Sequence, residues 1–353
     1  VDLSAGALHW GGRRFNALRL RGEQQSGRWQ LALDGTEVAG TLNWQREPSR
    51  PIIGRFSRLR LPEATSAFRP VAANGLDAEN LPALDIVAED FRIGNKELGR
   101  LELEAEPRER IWQLERLAIS NPDGRLDAKG KWVLGEQSST ELNLSVQATN
   151  IGKLLLRLGY PEGIKGGSGL LVGPVTWAGP PYRPDLASIA GQLQLEAAKG
   201  RFAKLEPGVG KLLGILSLQA LPRRLSLDFR DVFSSGFSFD RISADVELSR
   251  GVARTDNFRM DGSAARVAMH GTVDLAMETQ DLRVKIFPQL STGVAIAGAV
   301  ISPAVGIATL LAQKALGDPV EQLAATEYHV TGDWAAPRIE SMLEKADTSS
   351  ARR

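Results

Sequence analysis

The chain is predicted to be mainly β, a long and repetitive antiparallel meander with a few short helices toward its C-terminal end. Three observations predict this. Apolar and polar residues alternate at period two, as in Leu101, Leu103, Ala105 and Leu142, Leu144, Val146, so each strand has one buried and one wet face. Strands of a helix-covered parallel sheet would instead read as continuous apolar runs. The pattern also recurs: Phe15, Leu18, Leu20, Trp29 and Leu31 return 83 residues later as Leu98, Leu101, Leu103, Trp112 and Leu114. Finally, strands stop in a regular way, on Trp44, Trp132, Trp177 and Trp334, with Pro48, Pro180 or Pro337 soon after three of them. Proline has no N–H to give a ladder and ends it.

The elements follow in order. A fainter third copy of the repeat holds Phe239, Ile242, Ala244 and Gly251. Each copy is followed by an Asp-Gly pair (Asp34-Gly35, Asp123-Gly124, Asp261-Gly262), read as a two-residue hairpin reversal. A strand with an internal glycine comes next, at Gly40 to Trp44, Gly130 to Trp132 and Gly271 to Leu275. A unit with one apolar face cannot bury that face alone, so stacked copies give a continuous sheet. That sheet must curl on itself, pack on another layer or hold something apolar.

Three stretches read as helical. Ile151 to Leu158 follows Asn150, a suitable N-cap. Pro207 to Leu221 is amphipathic, and Gly293 to Ala312 is 20 residues without a charge. As one helix the last would span about 30 Å, the thickness of a bilayer core. Pro303 in its middle favours two short helices instead. A membrane span, a broken hairpin touching membrane or lipid, and a buried plug all remain open. The resulting organisation is a repetitive sheet over 1–150, a helix plus a Gly/Pro-rich connection over 151–185, a C-terminal sheet with apolar helices (207–221 and 293–316) over 186–340, and a flexible tail over 341–353.

Composition narrows the function classes. Lys plus Arg number 43 against 42 Asp plus Glu, interleaved along the strands, which argues against a nucleic-acid partner. With no cysteine, disulfides, thiolate metal sites and a cysteine nucleophile are excluded. The three histidines, His9, His270 and His329, lack the convergent spacing of metal ligands. Asp228 and Asp231 read as solvated charges rather than a catalytic pair. Gly208, Gly210 and Lys211 lack the spacing of a phosphate loop, and Gly167-Ser168-Gly169 is no nucleophile elbow. The tryptophans at strand ends suit edge packing better than ligand stacking. No catalytic residue, metal or cofactor is expected. The first residues show no signal-peptide pattern and start within strand-like sequence, as in a fragment of a longer protein.

The stretch from Glu206 to Asp231, EPGVGKLLGILSLQALPRRLSLDFRD, with Phe237 to Asp240, FSFD, and the closing YHVTGDWAAPRI, resembles the C-terminal part of YhdP-type AsmA-like (bridge-like lipid transfer) proteins of the Gram-negative envelope. The likeness is most specific from Gly200 to Glu340 and only stylistic before about residue 150. It implies a curved, taco-like or half-barrel-like sheet whose apolar groove carries phospholipid. It further implies a non-enzymatic protein of the periplasm, anchored to the inner membrane by a preceding segment and reaching toward the outer membrane, with both membranes and other envelope proteins as partners.

Strand parity then marks Leu225, Leu227, Phe229, Phe237, Phe239, Met260, Val267, Met269, Leu282, Val284 and Ile286 as the lipid-facing positions. The apolar helices add Leu212, Leu213, Leu216, Val294, Ile296, Val300, Ile301, Ile307, Leu310 and Leu311 as membrane-contact residues. The same residues also fit a sealed core, and with it an envelope scaffold or assembly factor that binds proteins.

Overall fold

The computed structural model describes residues 1–10, 12–45, 50–62, 81–160, 163–202, 237–288 and 325–342. The expected helices over 207–221 and 293–316 and the tail beyond residue 342 lie outside these. The first half runs β1 (Asp2–Trp10), β2 (Arg13–Gln25), β3 (Arg28–Asp34), β4 (Val38–Gln45), β5 (Ile52–Leu61), β6 (Leu84–Ile93), β7 (Lys96–Arg108), β8 (Ile111–Asn121), β9 (Gly124–Val133) and β10 (Ser139–Ala148). After helix α1 (Ile151–Arg157) come β11 (Ile164–Ala178), β12 (Ala190–Phe202), β13 (Ser238–Ser249), β14 (Val252–Asp261), β15 (Ala265–Asp274), β16 (Thr279–Pro288), β17 (Thr326–Asp333) and β18 (Arg338–Ser341).

All eighteen strands belong to one sheet. Chain neighbours pair antiparallel from β1 to β5, from β6 to β11 and from β14 to β18. An exception to the expected antiparallel order is β5 with β6, which are parallel. Parallel neighbours need a crossover, and residues 63–80, outside the described residues, separate these two.

The three repeat copies fall on β2–β4, β7–β9 and β13–β15. Their reversals differ from expectation. The two-residue turns that match strand twist need positive φ at both central residues, and these are Ser26-Gly27 (51° and 79°) and Arg250-Gly251 (47° and 80°). The Asp-Gly pairs do lie at hairpin ends, but none of their glycines has positive φ. Gly124, for example, is already the first residue of β9, and the turn is Pro122-Asp123.

The strand glycines have a packing reason. A Cβ on Gly130 would fall 2.0 Å from the Glu141 carbonyl oxygen, and one on Gly271 would fall 2.2 Å from that of Asp281. Each lies opposite a bulge, between Leu114 and Leu117 on β8 and between Thr255 and Phe258 on β14. Bulges add local twist and bend the bulged strand.

Helix α1 is capped by Asn150, whose side chain accepts from the Lys153 N–H at 3.0 Å. Arg157 in its last turn donates to the buried Asp123 carboxylate at 2.5 Å. Within the Gly/Pro-rich stretch after it lies β11, which starts inside the linker expected over Gly159 to Gly169, runs one residue past the strand-ending Trp177, and pairs with β10 from Gly169 to Ala178. Alternating Leu171, Val175 and Trp177 override the glycines' weak strand preference, because tertiary burial decides β structure.

The chain forms two compact units. Unit 1 is Val1–Glu162, Ser168–Gln194 and Glu247–Gly251; unit 2 is Gly163–Gly167, Leu195–Val246 and Val252–Arg353. In unit 1 a core of Leu18, Val38, Phe56, Ala88, Phe91 and Leu101 is packed by half-buried leucines and isoleucines from the neighbouring strands. In unit 2, Phe202 meets Phe239 with ring centroids 5.3 Å apart.

Candidate functional site

Register aligns the apolar face of unit 1 into rows that run across the strands. One row crosses β1 to β11 as Leu3, Leu20, Leu33, Gly40, Phe56, Ala88, Leu101, Ile119, Leu126, Val146 and Leu171. Its neighbour crosses β2 to β11 as Gly22, Leu31, Leu42, Gly54, Ile86, Leu103, Leu117, Ala128, Leu144 and Gly173. Neither row contains a polar side chain. At about 4.8 Å per strand the first covers about 48 Å. Most of its members, including Leu33, Ile119, Leu126, Val146 and Leu171, are only half-buried.

One end of this face is bounded by aromatics. Trp112, Trp132, Thr140 and Trp177 face each other across β8 to β11. Trp112 Nε1 donates to the Pro82 carbonyl (3.1 Å), Trp132 Nε1 to Ser138 Oγ (2.8 Å) and Trp177 Nε1 to the Pro180 carbonyl (3.1 Å). In unit 2, Trp334 Nε1 donates to Thr279 O at 3.2 Å. These donors are spent on the fold, as expected for edge packing. Trp44, on the same face as Leu42, is the exposed exception at 40%.

The opposite face of unit 1 is ionic. Arg60 and Arg92 share Asp90, Arg116 and Arg100 share Glu102, Arg125 holds Asp127, and Arg55 holds Asp85. Burial pushes the Asp90 carboxyl up, but hydrogen bonds from Arg92 and Arg60 outweigh it and leave it below the usual range. The hydrogen bond from Arg125 does the same for Asp127. Charges arranged so keep one face in water and leave the other free of them.

Unit 2 places the lipid-facing candidates together on one face. Met260, Val267 and Ile286 form one row with Thr326, and Met269 and Val284 another with Phe258 and Tyr328. Leu282 lies between Gly271 and Val330. Phe237, Phe239, Met260, Val267, Leu282, Val284 and Ile286 are between 1% and 4% exposed, and Met269 is half-buried. In this arrangement those seven present no free surface. Leu225, Leu227 and Phe229 lie outside the described residues, as do Leu212, Leu213, Leu216, Val294, Ile296, Val300, Ile301, Ile307, Leu310 and Leu311. The half-open apolar rows of unit 1 were not singled out from sequence, although the 83-residue repeat runs through Leu20, Leu31, Leu101 and Leu103 within them.

Residues 1–339 match the YhdP protein family. The chain belongs to that family. Membership thus begins at the first residue, whereas the sequence likeness was specific only from Gly200. A curated relative, the intermembrane phospholipid transporter YhdP of Escherichia coli (strain K12), is 31% identical over 231 residues, covering 65% of this chain. The match spans 18% of that protein's length. No solved structure matches.

Among the described residues no three His, Asp or Glu converge as metal ligands. His329 Nε2 lies 2.7 Å from Asp281 Oδ1 on the polar face. Among the described residues no helix is long and apolar enough to cross a membrane.

Proposed function

We propose that this chain is a section of a carrier that moves phospholipid between the inner and outer membranes of a Gram-negative envelope, without catalysis. The observation that carries the reading is the pair of rows, ten and eleven strands long, with no polar side chain on a half-exposed face. At roughly 0.8 kcal/mol per buried CH₂, a two-chain lipid leaves its membrane only into such a shelter. Family membership and the phospholipid transport for which the relative is named support it. In this reading the protein works in the periplasm, held at the inner membrane by sequence preceding residue 1.

The membrane-contact segments belong to the same proposal. The described sequence of unit 2 has two interruptions, residues 203–236 and 289–324, and the strand ends that flank them, of β12 and β13 and of β16 and β17, lie at one end of the strands. Phe202 N–H donates to Phe237 O at 2.8 Å at the first interruption, and Ile286 pairs with Thr326 at the second. The apolar sequence in both makes that end the one proposed to meet lipid or membrane.

Organic extraction of the detergent-free protein, followed by lipid mass spectrometry with a refolded sample as control, tests the reading. Stoichiometric phospholipid is expected. A folded, lipid-free protein would favour the second reading, an envelope scaffold with a sealed core, which the closed packing of the seven candidates in unit 2 favours.

A further inference from the structure

Among the described residues of unit 2, one inward side chain is left unanswered by its packing. Gln280 on β16 is 4% exposed, and both Nε2 and Oε1 of its amide are buried with no hydrogen-bond partner. It shares the apolar face with Leu282, Val284 and Ile286 and pairs across to Val273 and Gly332. A glutamine amide carries two donor hydrogens and an acceptor oxygen with two lone pairs. Burying them unpaired forfeits their hydration, whereas an apolar residue of similar volume would not. The other inward polar groups are satisfied: the Tyr328 hydroxyl bonds to Thr326.

The surroundings of Gln280 are looser than the rest of that face. Leu282, Val284 and Ile286 are closed, but Ala253, Val273 and Gly332 in its own row are half-buried. A Cβ on Gly332, whose φ is 88°, would meet no atom within 4 Å. Trp334 stands at the same strand end, with its backbone N–H on Glu278 O at 2.9 Å. Gln280 is therefore the inward residue of β16 nearest the strand end, where the sealed face gives way to half-open backbone.

We propose that the Gln280 amide is an anchor for the polar neck of a diacyl phospholipid whose headgroup carries a hydrogen-bond donor. Nε2 donates to an ester or phosphate oxygen, and Oε1 accepts from a headgroup ammonium or hydroxyl. The proposal rests on the phospholipid reading above. It goes further by naming headgroup chemistry: an ethanolamine headgroup satisfies both sides of the amide, while choline, with no N–H or O–H, leaves Oε1 unpaired.

The test uses the full-length protein, incubated with vesicles holding equal parts phosphatidylethanolamine and phosphatidylcholine of matched acyl chains, repurified and extracted. Wild type should retain the ethanolamine lipid in about tenfold excess, the order of one hydrogen bond. Gln280→Leu should fold and bring the ratio close to one. A wild type that holds both lipids equally, or a Gln280→Leu variant that keeps the wild-type ratio, as it would if the amide held only a water, overturns the anchor and leaves the carrier reading standing. Retention of neither lipid removes the carrier reading and the anchor with it. A photoreactive benzoylphenylalanine at Val273 should cross-link lipid and one at Thr272, on the other face, should not. Equal labelling of the two would also overturn the anchor.

Discussion

Units 1 and 2 are built from the same repeat yet treat their apolar faces differently. In unit 1 the rows are purely apolar and half open. In unit 2 the rows through Val284 and Ile286 are nearly shut and include Thr326 and Tyr328, while the row of Gln280 at the strand end is half-buried. The lesson is that period-two alternation specifies which face is apolar, not whether that face is covered. Coverage depends on what the side chains meet across the fold, and Phe202 against Phe239 over Gly200 has no counterpart among the half-buried leucines of β7 to β10.

The comparison breaks most visibly under a buried charge. Val284→Asp puts an unpaired carboxylate where 4% of the residue is exposed, and should cost about 3–5 kcal/mol. Leu144→Asp, on a half-buried position of unit 1, should cost about 1 kcal/mol, in the range of ordinary substitutions, but abolish lipid retention. Urea unfolding and lipid extraction on both variants decide it. Equal destabilisation would mean that the two faces are equally closed.

A smaller effect should be common to both units. Gly130→Ala and Gly271→Ala each force a Cβ onto a neighbouring carbonyl oxygen, and each should lose about 1–3 kcal/mol. Similar shifts in thermal unfolding would establish the bulge and its glycine as one device used twice. A silent Gly271→Ala would show that the unit 2 ladder can slip where that of unit 1 cannot.

The fold was legible because repeat, alternation and strand-ending Trp–Pro signals are local. Asn150 and the helix it caps were legible for the same reason. The Asp-Gly pairs marked true hairpin ends but not the turn type: none of their glycines takes positive φ, whereas the twist-matched turns lie at other hairpins, on Ser26-Gly27 and Arg250-Gly251, where a serine and an arginine do. The end of β11 was legible at Trp177, but its start was not, because Gly166, Gly167 and Gly169 read as a linker when the neighbouring strands are not in view. The parallel β5–β6 pair and the half-open state of unit 1 depend on long-range arrangement, which no window of sequence contains.

Strand-end tryptophans sharpen the comparison further. Trp177→Phe removes a donor to the Pro180 carbonyl and should cost about 1 kcal/mol, while Trp44→Phe, exposed, should leave thermal unfolding unchanged. The smallest effect is that of acid. Asp90 and Asp127, both in unit 1, have carboxyls held below the usual range. Their contribution is therefore fully present above the unfolded value of about 4 and lost as pH falls through the folded values. Hydrogen exchange in β6 and β9 should accelerate in that window, and less so in Asp90→Asn and Asp127→Asn.

A meander also behaves as a ruler. Each added strand advances the sheet by one hydrogen-bonded step of about 4.8 Å, so inserting or deleting one two-strand hairpin, which keeps the antiparallel order, changes its reach by about 10 Å. The distance such a sheet bridges is thus counted in whole strands, and a lineage can adjust it by duplicating a hairpin rather than by redesigning a face.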